Sequence, residues 1–275
     1  MDYSFLQLNV STWNYVCSYN GVADLKKIIS EIKKDGFGVE LWMNWLPDKS
    51  VYDRDNWSNI KNWLSGVKDI TIHSECANKD LESIKREIEL SSYLGARLLV
   101  VHVLNFGVVE AENMLEIDSK YFKKILHLAE KNGVVLALEN GYFKLLQEFC
   151  NLAGNSENLK ICLDIGHANI HKQTLLPENC SDPIGVFIQE FGNRIAHFHI
   201  HDNFGKNDDH LPPGRGSINW SMVIKHFKNL NRKIRATLEI RGNISDARAA
   251  SLQARNFLNN CIKEYERNMI GNPAI

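Results

Sequence analysis

The sequence contains no CxxC pair: its six cysteines, Cys17, Cys76, Cys150, Cys162, Cys180 and Cys261, are scattered through 275 residues. Such spacing suits neither a zinc ribbon nor a redox dithiol, and all six are expected to be free thiols. No uninterrupted apolar stretch approaches the ~18 residues that a membrane span requires, so no membrane partner is expected. The opening residues also lack a basic and then apolar leader with a small-residue cleavage site, and the expected compartment is the cytoplasm. Net charge is nearly absent, at −1, so nothing global announces nucleic acid or a membrane surface. Finally, no glycine-rich fingerprint or phosphate loop follows the first apolar run, which argues against a dinucleotide-binding fold and a nucleotide cofactor.

What is present is a recurring pattern. Short β-branched-rich runs end on one polar residue: ITIH on His73, LLVVH on His102, VVLALE on Glu139, ICLD on Asp164, IAHFH on His199 and ATLE on Glu239. Runs of this length and composition read as strands rather than helices. Between them lie amphipathic stretches, and the whole chain alternates. Strands are expected over 6–13, 37–44, 67–75, 97–103, 134–140, 159–167, 195–203 and 234–240. Helices are expected over 23–36, 56–66, 80–96, 119–133, 143–154, 183–193, 220–231 and 246–266. Eight such units without a linker predict an α/β fold, a closed parallel TIM (β/α)8 barrel spanning 1–275 as one domain.

Parity places the polar residues inside. Strand side chains alternate faces, so Arg235, Thr237 and Glu239 share one face while Ala236, Leu238 and Ile240 share the other. The same alternation stacks His197, His199 and His201 on one wall and turns Glu40 inward, to bind substrate or to pair with Arg235. Polar groups inside a barrel need partners or a metal. Strand C-terminal ends are where the active sites of such barrels lie. Glu139, Asp164, His199 and Glu239 together offer an oxygen-rich mixed site for a divalent cation such as Zn²⁺, Mn²⁺ or Co²⁺. A metal there would hold a hydroxy-carbonyl substrate and acidify its neighbouring C–H, while a flanking carboxylate moves the proton.

ICLDIGH (161–167), HFHIHDNFGKNDDHLPPGRGSINW (197–220) and the glutamates that end strands five and eight resemble the xylose isomerase-like superfamily of barrels. The long run is most similar to its sugar phosphate isomerase/epimerase branch. The resemblance covers roughly residues 7–241 and implies a metal held by Glu139, Asp164, His199 and Glu239. It also implies that Glu139 and Glu239 exchange the substrate proton from opposite faces. The substrate would be a small sugar or sugar phosphate, contacted by His167, with His102, Glu40 and the basic residue nearest the family position, Lys206, as further candidate contacts. Relatives of this kind are often dimers or tetramers, which implies a homo-oligomer.

The same superfamily includes the endonuclease IV type of apurinic-site repair enzyme. Its nine zinc ligands match His73, His102, Glu139, Asp164, His167, His199, Asp208, His210 and Glu239, which makes His73, His102, His167, Asp208 and His210 candidate additional ligands. Under this alternative the partner would be damaged DNA. Against it, the Pro-Gly-Ser of that family after the strand-four histidine is VLNFG here, and its Thr-Ala-Gly after the strand-five Glu-Asn is GYF. A related dehydratase or a non-catalytic binding module are further alternatives. Trp42, Trp45, Trp57 and Trp63 are candidate walls of a sugar pocket, with core packing as the competing role. The GRG of PPGRGSINW is expected to turn the chain into the seventh helix, and His201 with Asp202 to cap a strand end.

Overall fold

The computed structural model describes residues 5–15, 25–43, 54–74, 80–111, 114–170, 174, 176, 180–241 and 246–271. In chain order the strands are β1 (Leu6–Ser11), β2 (Gly38–Trp42), β3 (Ile70–His73), β4 (Leu98–His102), β5 (Val108–Ala111), β6 (Met114–Ile117), β7 (Val135–Glu139), β8 (Leu159–Asp164), β9 (Ile195–Ile200) and β10 (Ile234–Leu238). Eight of them close a barrel in the order β1-β10-β9-β8-β7-β4-β3-β2, and every pair in it is parallel. The helices are α1 (Leu25–Lys34), α2 (Arg54–Trp63), α3 (Leu81–Leu94), α4 (Ser119–Asn132), α5 (Phe143–Ala153), the single turn α6 (Ile165–Ala168), α7 (Pro183–Phe191), α8 (Trp220–Asn229) and α9 (Ala247–Gly271).

Helix boundaries follow local chemistry. Asp80 caps α3 by accepting from the Ser83 amide at 2.7 Å, and Gly95 ends that helix at φ 78°. Asp118 caps α4 by accepting from the amides of Lys120 and Tyr121. Each such cap contributes about 1 kcal/mol.

Most of the core lies between barrel and helices, where the outward-facing residues of the strands, such as Val10, Val39, Ile72, Val101, Leu138, Leu163, Ile200 and Leu238, are fully buried. Inside the barrel the apolar filling is small and one-sided: Leu98, Val100, Ala137 and Cys162, with Val135 and Ala196 against them. The opposite wall is polar, with buried Asn9, Glu40, Thr71, His197 and Thr237. A register shift between β8 and β9 pairs Ile161 with Ile195 but Cys162 with His197, so Ala196 is an extra residue on β9. This bulge turns His197 and His199 inward in step with Asp164.

Three expectations are corrected, and for two tryptophans the choice between pocket and core is decided. Strands end earlier than read: β8 stops at Asp164, because its carboxylate accepts from the His167 amide at 2.7 Å and starts the α6 turn. The segment after β4 carries an antiparallel hairpin, β5-β6, that the alternating pattern did not reveal. Glu40 does not pair with Arg235, whose guanidinium is held by Asp69. Trp57 and Trp63 belong to the helical shell rather than to a pocket; Trp45 lies outside the described residues. The described cysteines, Cys150, Cys162, Cys180 and Cys261, are free as expected, while Cys17 and Cys76 lie outside the described residues. Among the described residues no helix is long and apolar enough to cross a membrane.

Candidate metal centre

A cavity of about 130 Å³ opens at the C-terminal ends of the strands, lined by Trp13, Trp42, His73, His102, Glu139, His167, Asp208, His210 and Glu239. Seven of these are the last residue of a strand or lie one to three residues beyond it. Glu139 stands at the centre. Its Oε2 lies 2.9 Å from His102 Nε2 and 3.2 Å from His73 Nε2, while its Oε1 lies 2.9 Å from His199 Nδ1 and 3.6 Å from His167 Nδ1. His199 Nδ1 also faces Glu239 at 3.4 Å and Asp164 at 3.7 Å. One ligand atom from each of Glu139, Asp164, His199 and Glu239 lies within 4.8 Å of the others, and all four residues are buried.

Two further groups adjoin this ring. His73, His102 and Glu139 form one; His167, His201, Asp208 and His210 form the other. Asp208 Oδ2 is 3.3 Å from His167 Nε2 and 3.0 Å from His210 Nε2. The long segment after β9 delivers Asp208 and His210, and buried Asp202 shapes it by accepting from the amides of Asn203, Gly214 and Ile218 and from Trp220 Nε1. Gly214, with φ 83°, makes the expected turn there. His210 adopts the left-handed region at φ 48°, uncommon for a residue with a side chain, and its Nδ1–H donates to the Glu239 carbonyl at 2.9 Å. Its ring stacks on His201 at 3.9 Å between centroids and meets Trp13 edge-on at 4.5 Å.

The residues fit a divalent cation. Among the described residues lining the cavity none is Lys or Arg, so the carboxylates have only imidazoles for company. Burial pushes the Glu239 carboxyl well above the usual range; His199 opposes this, and the charges of Glu40, Glu139 and Asp164 add to it. Burial works against Glu139 as well, yet His102 and His199 hold it well below the usual range. Burial opposes the charge on His167, but Asp164, Asp208 and Glu139 raise its pKa to about 10. Crowding of like charges in a dry site is relieved by a cation, and mixed carboxylate and imidazole donors suit Zn²⁺, Mn²⁺ or Co²⁺.

The structure brings together all nine of the residues singled out as ligands. It leaves Lys206 exposed and outside the cavity lining. Glu40 lies fully buried beneath the ring, away from the cavity. The sequence reading gave Trp13 no role, yet it lines the cavity beside Trp42, and His201, read as an inward-facing strand-end cap, faces Asp164 at 3.0 Å. Position just past β1 was the available signal for Trp13, and inward parity for His201.

The chain is 26% identical over 238 residues to an uncharacterized protein of Methanocaldococcus jannaschii, covering 82% of this chain and 89% of that one. Its fold is similar to that of a D-tagatose 3-epimerase-like protein, with a TM-score of 0.71 at 19% identity over 96% of this chain and 99% of the other. It is also similar to the IolI protein crystallised with a zinc atom, with a TM-score of 0.67 at 20% identity over 94% and 99% of the two chains. A family model described as xylose isomerase-like TIM barrel matches residues 64–261, and with the closed parallel barrel the chain belongs to that family.

Proposed function

We propose that this protein is a metal-dependent isomerase or epimerase of a small sugar or sugar phosphate. The observation that carries the reading is the pair of glutamates, Glu139 and Glu239, lining one cavity while sharing a compact ring with Asp164 and His199. A divalent cation in that ring would polarise the substrate carbonyl and favour the enediolate. Glu139 or Glu239 removes the proton from the carbon beside the carbonyl, and the other glutamate, or the same one, returns it. Their environments push the two carboxyls in opposite directions, Glu139 down and Glu239 up, so the two are not equivalent partners for a proton. His102 and His167 line the same cavity and would contact substrate hydroxyls, and Trp13 with Trp42 would offer an apolar face to a sugar ring. Likeness in fold to a D-tagatose 3-epimerase-like protein supports the same class.

The test is solvent exchange. Metal-loaded protein is incubated in deuterium oxide with a panel of pentuloses and hexuloses, free and phosphorylated, and products are read by NMR. One deuteron at the carbon beside the carbonyl is expected, with turnover reduced at least about 10²-fold in Glu239→Gln. Full turnover in that variant, or no exchange with any ketose, defeats the reading.

A second reading has its own support. The nine matched residues, with His201, gather in adjoining metal-capable groups, two of which share Glu139, an arrangement suited to phosphodiester cleavage by a hydroxide at a multi-metal centre. Incision of a duplex carrying one abasic site, with a steep salt dependence of binding, would favour it over the isomerase.

A further inference from the structure

Glu40 sits one layer below the metal ring, on the inward face of β2, and is fully buried. One of its oxygens is well supplied: Oε2 accepts from Thr71 Oγ1 at 2.9 Å and from Thr237 Oγ1 at 3.0 Å. The other, Oε1, has no hydrogen bond, and neither has His199 Nε2; both atoms are buried, and they face each other at 3.4 Å. Arg235, the basic side chain that parity places on the same inner wall, is bound to Asp69 instead. The charge of Glu40 is therefore offered to the imidazoles above it.

His199 presents Nδ1 to the ring, 2.9 Å from Glu139 and within 3.7 Å of Glu239 and Asp164. A nitrogen that binds a cation must carry its lone pair outward, so the ring proton belongs on Nε2. A buried N–H without an acceptor is costly, and a carboxylate behind a metal-bound imidazole both orients the ring and raises its basicity. We propose that Glu40 is the positioning residue of the centre: its Oε1 accepts the His199 Nε2 proton, fixing the tautomer that leaves Nδ1 free for the cation, while Thr71 and Thr237 hold the carboxylate in place. This rests on the metal-centre reading of the ring above it and adds a residue that touches neither cation nor substrate.

The experiment measures divalent affinity in chelator-stripped protein by competition with a coloured chelator, and the visible absorption of the Co²⁺ form. Glu40→Gln is expected to weaken Co²⁺ and Zn²⁺ binding about 10- to 100-fold and to alter the Co²⁺ bands. Thr237→Val, which removes one donor to Glu40, shifts affinity in the same direction by less, and Thr237→Ser, which keeps the hydroxyl, restores it. Should Glu40→Gln prove too unstable to purify, the Thr237 pair decides alone. Val100→Ala, a packing loss on the opposite inner wall, is expected to lower stability without moving affinity or spectrum. Unchanged affinity and spectrum in Glu40→Gln, or equal affinity in Thr237→Val and wild type, overturns the positioning role and leaves the metal centre standing. Wild-type protein that binds no divalent cation overturns both.

Discussion

Asp202 shows how much a single buried carboxylate can organise. It accepts four hydrogen bonds, from the amides of Asn203, Gly214 and Ile218 and from the Trp220 indole. Together these fold the segment that carries Asp208 and His210 back over the barrel mouth. Truncation strands four donors at once, so Asp202→Ala is expected to destabilise the protein by about 3 kcal/mol or more, measured by urea unfolding. A loss below about 1 kcal/mol would mean that the segment is held by other contacts. Its role was only half legible in the sequence. A strand-end cap was expected of His201 and Asp202 jointly, but a carboxylate collecting donors from residues 203 to 220 depends on a loop path that no local periodicity encodes.

At the scale of elements, the shell closes where the end of α1 meets α9. Asp35 accepts from Arg248 Nε and Nη2, both at 2.7 Å, and its backbone carbonyl accepts from Arg255. The Arg248 hydrogen bonds hold the Asp35 carboxyl below its ordinary value against the smaller effect of burial. A carboxyl whose folded pKa is depressed stabilises the fold above the unfolded value, and that contribution fades as pH falls through the folded one. Asp35→Asn is therefore expected to lower stability from neutral pH down to about 5, with the gap from wild type narrowing on further acidification. A gap that stays constant into strong acid would remove the ion pair from the account. The alternation of strands and helices was legible because each unit has its own hydrophobic period. The β5-β6 hairpin was not, since two four-residue runs carry too little pattern. The bulge at Ala196 was equally hidden, because it is a property of the register between β8 and β9 rather than of either strand.

At the scale of the whole molecule, a chain with a net charge of −1 concentrates carboxylates at one end of its barrel. Apolar side chains fill the interior mainly on the side of β4, β7 and β8, and the polar wall opposite leads up to the ring of candidate metal ligands. The nine candidate ligands could be read from the sequence because strand ends converge in a closed barrel, whatever the length of the helices between. Their gathering into overlapping groups, with Glu139 shared by two, depends on side-chain directions that only the folded barrel defines. Trp13 and the exposed position of Lys206 fall in the same class. The central claim is that Glu139, Asp164, His199 and Glu239 hold a divalent ion. Calorimetric titration of chelator-stripped protein with Mn²⁺, Co²⁺ and Zn²⁺ tests it most directly. Tight binding of an ion to each chain is predicted in the wild type, with that event abolished in the double variant Asp164→Asn, Glu239→Gln; a stripped protein that takes up no ion, or a double variant that binds as the wild type does, contradicts it.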